Sequence, residues 1–198
     1  VKLYYSPTSP YVRKVMACAI ARGIDGRIER VTTNPHQSDD AFVRDAPLSR
    51  VPCLVTDDGL ALFDSPVICE FLDSVDDALP MFPPAGAARW RALKQQALGD
   101  GIMDAAVNRR GEQGRPPETA RDAVMARHRA AVERSLAALE ADVPHRKLDI
   151  GTLAIACALG YLDFRFAMEP WREAHPRLAA WYEAMAAERA LSETAPVG

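Results

Sequence analysis

The residues best placed to do chemistry gather at two Ser-Pro steps. The first lies in Ser6-Pro7-Thr8-Ser9-Pro10, where three hydroxyls share one loop, and the second is Asp64-Ser65-Pro66. Each precedes a run with apolar residues at helical spacing, so Ser9 and Ser65 read as helix N-caps with Pro10 and Pro66 first inside. The net charge of −3 leaves a local anion site open. The four cysteines, Cys18, Cys53, Cys69 and Cys157, form no C-x-x-C pair and no Cys/His cluster of zinc spacing. They read as reduced thiols of an intracellular protein, three of them inside apolar segments where Cys behaves as a small hydrophobe.

The elements that must position these groups follow from period and punctuation. Lys2 to Tyr5 is a short strand. Val12, Val15, Met16, Ala19 and Ile20 give the first helix one apolar face, and Gly23 stops it. Arg27 to Val31 alternates and reads as a second strand. After the Asn34-Pro35 loop, Ser38 to about Ala46 reads as a short helix with Asp39 and Asp40 favourable in its first turn. Val51 to Thr56, the turn Asp57-Asp58-Gly59 and Leu60 to Phe63 make a hairpin. The helix after Ser65 carries Val67, Ile68, Phe71 and Leu72 as its buried stripe. Strand–helix–strand predicts parallel pairing and the hairpin adds antiparallel strands, so a small mixed sheet with helices on both faces is expected.

Leu79 to Gly86 is rich in proline and marks the domain boundary. Beyond it everything reads as helix: Ala87 to about Arg110, with Trp90, Leu93 and Ala97 on one side; a break over Gly111 to Pro117; and a helix to Ala141 with Met125, His128, Val132, Leu136 and Leu139. Asp149 to Phe166 is apolar almost all round and should be the central buried helix, with Asp149 and Thr152 able to cap its first turn. Pro176 starts a last helix carrying Leu178, Trp181 and Met185.

Bulk properties narrow the partners. The chain has 198 residues and a net charge of −3, with 8 basic and 12 acidic residues up to residue 80 and 16 and 15 after it. Neither part is basic enough to predict nucleic-acid binding. The longest apolar stretch, Leu153 to Leu162, is about half of a bilayer span. The opening residues do not read as a secretory signal.

Three local signals then coincide: the strand, loop and helix start of Leu3-Tyr4-Tyr5-Ser6-Pro7-Thr8-Ser9-Pro10-Tyr11-Val12-Arg13-Lys14-Val15; Val51-Pro52 at a strand entrance; and Asp64-Ser65-Pro66-Val67-Ile68 after a hairpin. In this order they resemble the cytosolic glutathione S-transferases. Asp100-Gly101-Ile102-Met103-Asp104-Ala105-Ala106 and Leu159-Gly160-Tyr161-Leu162-Asp163-Phe164-Arg165 look like motifs of bacterial, serine-type members, so the resemblance spans essentially the whole chain. It implies a thioredoxin-like α/β domain with a mixed four-stranded sheet over residues 1–78, a linker over 79–86 and an all-α bundle over 87–198. It also implies a cytoplasmic homodimer acting in detoxification, each N-terminal domain packed on the partner's helices, with no membrane or nucleic-acid partner and no metal.

The resemblance places the thiol-activating hydroxyl in the loop entering the first helix, at Ser9, with Ser6 the alternative and Thr8 a third. A free thiol has a pKa of roughly 8.5. A hydroxyl donated to the thiolate near a helix N-terminus lowers it, and about two units would make the thiolate dominant near neutrality. A cis Val51-Pro52 bond would turn the Val51 N–H and C=O outward to pair with the cysteinyl main chain of glutathione. Ser65 and the helix start suit the γ-glutamyl carboxylate, Asp64 its ammonium, and Arg50, where relatives carry Lys, the glycyl carboxylate; His36 and Gln37 are weaker candidates. Tyr11, Met103, Val107, Asn108, Tyr161, Phe164 and Phe166 would line a pocket for a small hydrophobic electrophile, and Arg109-Arg110 would meet an anionic one. Each of these also fits a plainer role: a cap for Ser9 and Ser65, core packing for the pocket residues, a solvated charge for the arginines. The Asp149/Thr152 order is swapped relative to many relatives, which predicts an altered capping box. The activity implied is conjugation of glutathione to an electrophile. The alternatives are a binding or scaffold protein of the same fold with little turnover, or an isomerase or dehalogenase using glutathione as cofactor.

Overall fold

A computed structural model describes residues 1–37 and 39–196. The first part of the chain runs β1 (Lys2–Tyr5), α1 (Pro10–Arg22), β2 (Glu29–Thr32), α2 (Asp40–Asp45), β3 (Cys53–Val55), β4 (Ala61–Leu62) and α3 (Ser65–Asp73). The strands form one sheet in the order β2-β1-β3-β4, with β1 parallel to β2 and antiparallel to β3. Because side chains alternate along a strand, the register decides both faces. Leu3 and Leu54 lie opposite each other and face the core that includes Val12 and Val15 of α1 and Ile68 and Leu72 of α3. Tyr4 and Cys53, the next pair, face Phe42 and Ala46 on the other side. This is the mixed sheet covered on both faces that the pattern predicts.

Local chemistry sets the element ends. Ser9 caps α1 by accepting the Val12 N–H at 3.3 Å. Gly23, at φ 72°, closes the helix in the left-handed conformation, with Ile24 N–H reaching Ala19 O at 3.0 Å. β2 begins two residues later than the alternation indicates, because Asp25–Arg27 close a 3-10 turn first. Asp39 caps α2 by accepting the Phe42 N–H at 2.7 Å; the expected start at Ser38 lies outside the described residues. At α3 the cap is Asp64, not Ser65. Asp64 has the extended backbone a cap needs and accepts the Ser65 N–H, whereas Ser65 is already helical. Val67 is 47% exposed, so the buried side of α3 is Ser65, Ile68, Cys69 and Leu72.

Tyr4 Oη donates to Asp45 Oδ2 at 2.7 Å and so ties β1 to α2; the hydroxyl holds the Asp45 carboxyl below the usual carboxylate range. A lowered folded pKa contributes stability above the unfolded value, roughly 3.9, that is lost as pH falls through the folded one. Asp45→Asn is therefore expected to lower stability at pH 7 by about 1 kcal/mol. In urea unfolding across pH, the gap to the parent should close below about pH 3.

The helical part comprises α4 (Gly86–Gln113), α5 (Thr119–Ala141), α6 (Ile150–Arg165), α7 (Pro176–Ala186) and the short α8 (Arg189–Ser192), which the periodicity did not reveal. Every residue from Ile150 to Leu162 is buried, so α6 is the central helix. It packs on α4 with almost no gap. A Cβ on Gly99 would sit 2.6 Å from the Ala154 carbonyl carbon, and one on Gly151 2.5 Å from Ala92 O. The buried face of α4 is accordingly Ala92, Gln96, Gly99, Ile102, Met103, Ala106 and Arg109. The expected Trp90 face is not buried: Trp90 is 70% exposed and Ala97 is exposed. α5 buries Val132, Leu136 and Leu139, leaving Met125 and His128 half-buried. The capping box of α6 is complete. Asp149 Oδ1 accepts the Gly151 and Thr152 N–H groups at 2.9 Å each, and Thr152 Oγ1 accepts the Asp149 N–H at 2.9 Å. The swapped order leaves reciprocity intact because either side chain offers an acceptor oxygen of the right reach.

Candidate functional site

Sheet topology gathers the chemistry at one end. β1 runs toward the Ser6–Ser9 loop; β3 is antiparallel and starts at that end after Val51-Pro52; β4 is antiparallel to β3 and delivers Asp64-Ser65 there as well. Three segments that are separate in sequence, at Ser9, Val51 and Ser65, thus meet beside the head of α1.

Ser9 is half-buried. Its Oγ accepts from Val12, so the hydroxyl proton remains free to be donated outward while the cap is kept. Ser6 contributes its carbonyl to the Ser9 N–H at 3.1 Å, which closes the turn, and its side chain is half-buried. Val51-Pro52 is cis. Among the described residues neither the Val51 N–H nor its C=O has a backbone partner. Asp64 is exposed, and Ser65 is 1% exposed with a buried Oγ that has no partner. Buried hydroxyls are normally hydrogen-bonded, and the Ser65 hydroxyl keeps its donor and acceptor capacity unused by the chain. Arg50, His36 and Gln37 are exposed beside this end.

Two contacts dock α1 onto α4, and neither was read from the sequence. Lys14, wholly buried, pairs with Asp100 at 2.5 Å. Tyr11 Oη donates to Asp104. Burial raises the Asp100 carboxyl against the lowering effect of Lys14, and burial with the Asp104 hydrogen bond pushes the Tyr11 phenol far up. Tyr11 therefore stays a neutral donor. The signal was present: Asp100 and Asp104 are one turn apart on α4, and Tyr11 and Lys14 are one turn apart on α1.

The expected electrophile pocket divides. Met103 is wholly buried and belongs to the core. Val107 and Phe164 are half-buried and Asn108 is exposed. Tyr161 shares a narrow crevice with Pro7, Thr8, Ser9, Pro10, Arg13 and Pro196, which brings α6 to the serine loop. Phe166 is buried beneath Arg109. Arg109 is itself held by Glu169 at 2.6 and 2.8 Å, so of the Arg109-Arg110 pair only Arg110 faces outward. All four cysteines are buried and free, and burial raises the Cys53 thiol to about 11, far from nucleophilic. No group of three or more metal-ligating side chains occurs among the described residues. Among the described residues no helix is long and apolar enough to cross a membrane.

Comparison with known proteins bears on this arrangement. Residues 8–75 match the glutathione S-transferase N-terminal domain and residues 122–184 the C-terminal domain. The uncharacterized GST-like protein YibF of Escherichia coli K12 is 35% identical over 99% of this chain and 98% of its own. A glutathione transferase family member of Pseudomonas fluorescens Pf-5, solved with bound glutathione, is 40% identical, covers 100% of this chain and 99% of its own, and superposes with a TM-score of 0.92. The same organism's structure with bound S-(propanoic acid)-glutathione is 39% identical over the full length of both chains, with a TM-score of 0.89. On its sheet, its helical bundle and these matches across both parts, the chain belongs to the glutathione S-transferase family.

Proposed function

We propose that this protein is a glutathione transferase that binds reduced glutathione at the shared strand end and activates its thiol with the Ser9 hydroxyl. The observation that carries the reading is the convergence, at one end of the sheet, of a donor hydroxyl at a helix head, the unpaired Val51 main chain and the unpartnered Ser65 Oγ. Residues 1–78 act as the glutathione-binding domain, 79–86 as the linker and 87–198 as the helical domain. Val51, next to Pro52, pairs with the cysteinyl main chain in the manner of an added strand. Ser65 and the α3 N-terminus take the γ-glutamyl carboxylate, Asp64 its ammonium and Arg50 the glycyl carboxylate. The thiolate attacks a small electrophile held beside Tyr11, Val107, Asn108, Tyr161 and Phe164. Ser6 is the alternative donor.

The solved relative from Pseudomonas fluorescens supports glutathione as the ligand, since it was solved both with it and with a sulfur-substituted derivative. A homodimer is supported by apolar surface: Glu70 and Arg89 join α3 to α4 at 2.9 Å, and next to them Val67 and Trp90 stand 47% and 70% exposed. The four free cysteines fit a cytoplasmic setting.

Titration calorimetry with glutathione tests the assignment. Ser65→Ala removes a hydrogen bond to a charged group, so affinity should fall about tenfold. No measurable affinity of the parent for glutathione would end the reading. Binding without conjugation of any electrophile would support the scaffold alternative.

A further inference from the structure

Resting on that reading, the structure also speaks to which electrophile is bound. Val107 and Arg110 lie one turn apart on α4, and Tyr161 and Arg165 one turn apart on α6, so each pair shares a helix face. The two helix ends are close: Arg109, next to Arg110, lies over the Phe166 ring at the end of α6 at 4.4 Å, and both Arg165 and Arg110 oppose the rise that burial imposes on the Tyr161 phenol. Tyr161 also reaches the crevice beside Ser9, which links this corner to the reacting sulfur. Arg165 lies over the Phe164 ring at 4.1 Å, and its Nε is buried without a hydrogen-bond partner.

Neither Arg110 nor Arg165 takes part in an ion pair among the described residues, whereas the adjacent Arg109 is bound twice by Glu169 and Arg172 by Asp163 at 2.8 Å. Among the described residues Arg110 is thus left exposed and Arg165 half-buried without a carboxylate partner, while Asp104 is occupied by Tyr11. A favourable helix dipole accommodates a cation near a helix C-terminus, and it does not use the guanidinium's hydrogen-bonding fork. Arginine forks match carboxylates, and the aromatic ring under Arg165 holds its plane in place.

We infer that Arg110 and Arg165 form a carboxylate-binding corner of the electrophile pocket, and that the preferred electrophiles are apolar molecules bearing a carboxylate a few bonds from the carbon attacked. With a chloronitrobenzoate, the thiolate forms a C–S bond at the ring carbon bearing chlorine. The C–Cl bond breaks, chloride leaves with its electron pair, and the thiol proton goes to solvent. The carboxylate takes no part in bond changes and serves to orient the ring.

The test compares two glutathione conjugates by calorimetry, one made from a chloronitrobenzoate and one from the matching chloronitrobenzamide, with glutathione itself as the internal reference. The parent should bind the carboxylate conjugate about tenfold more tightly than the carboxamide. The double variant Arg110→Gln/Arg165→Gln should lose that preference. Arg110→Gln alone, at an exposed position, should lose part of it without affecting the fold, and Arg165→Lys should keep part of it. Equal affinity for the two conjugates alongside normal glutathione binding would overturn this inference and leave the transferase reading standing, as would a preference that persists in the double variant. Failure of glutathione and both conjugates to bind would overturn both.

Discussion

Ser9→Gly is expected to cut kcat/KM at neutral pH by roughly 10- to 100-fold while glutathione affinity stays close to the parent's. A hydrogen bond to a charged acceptor contributes about 1.5–3 kcal/mol. Its loss raises the bound thiol by about one to two pKa units, since each unit corresponds to about 1.4 kcal/mol. The thiolate fraction at neutrality falls in proportion. As pH rises through the variant's raised thiol pKa the thiolate returns, so the deficit should shrink on the alkaline side. Ultraviolet absorbance of the thiolate in the complex, followed across pH, measures the shift directly. The choice of Gly separates catalysis from capping. Ser9 accepts the Val12 N–H, and replacing a cap Ser by Ala costs about 1 kcal/mol whereas Gly costs only a few tenths. Ser9→Ala should therefore lower Tm by about 2–4 °C beyond its kinetic defect, and Ser9→Gly hardly at all. A full loss of activity in Ser6→Ala, with Ser9→Gly unaffected, would transfer the role to Ser6.

The second large effect is on stability, at the docking of α1 on α4. Lys14 is wholly buried and its partner Asp100 is 19% exposed. Removing one partner of such a pair costs about 3–5 kcal/mol, because the remaining charge is left in a medium that solvates it poorly. Asp100→Asn should accordingly lower Tm by roughly 10 °C, with about 2–4 °C per kcal/mol for a chain of this size. The reverse change should be milder. Burial already raises the Asp100 carboxyl, so once Lys14 is gone the acid can take up a proton and become neutral. Lys14→Met then carries a group whose folded pKa exceeds its unfolded one. Its contribution to stability is present below the unfolded pKa and is lost as pH rises through the folded value. Thermal melts should show Lys14→Met closer to the parent at pH 5 than at pH 8. Equal losses in the two variants with no pH dependence would show that the pair acts by packing and not by charge.

Much of this protein was decided by interactions that reach only a few residues along the chain. The α1 cap at Ser9, its stop at Gly23, the Asp57-Asp58-Gly59 turn and the buried run of α6 are such cases, and they order the elements into a sheet part and a helical part. The positions of Ser9, Val51 and Ser65 were legible because each sits at an element end, where Ser-Pro and Val-Pro steps mark the backbone. Other features depend on what packs against a surface, and periodicity within a helix does not carry that. Trp90 has the apolar character of a core residue, yet the face α4 buries is the one with Gly99, because only there can α6 approach so closely. The same holds for Tyr11 with Asp104 and Lys14 with Asp100, which are 93 and 86 residues apart. It holds also for the division of labour between Arg109 and Arg110, neighbours in sequence that the helix turns by about 100°. One meets Glu169 just beyond the end of α6 and the other is exposed. Charge partners across a domain junction are selected by which helix faces come together, and that selection exists only in the folded chain.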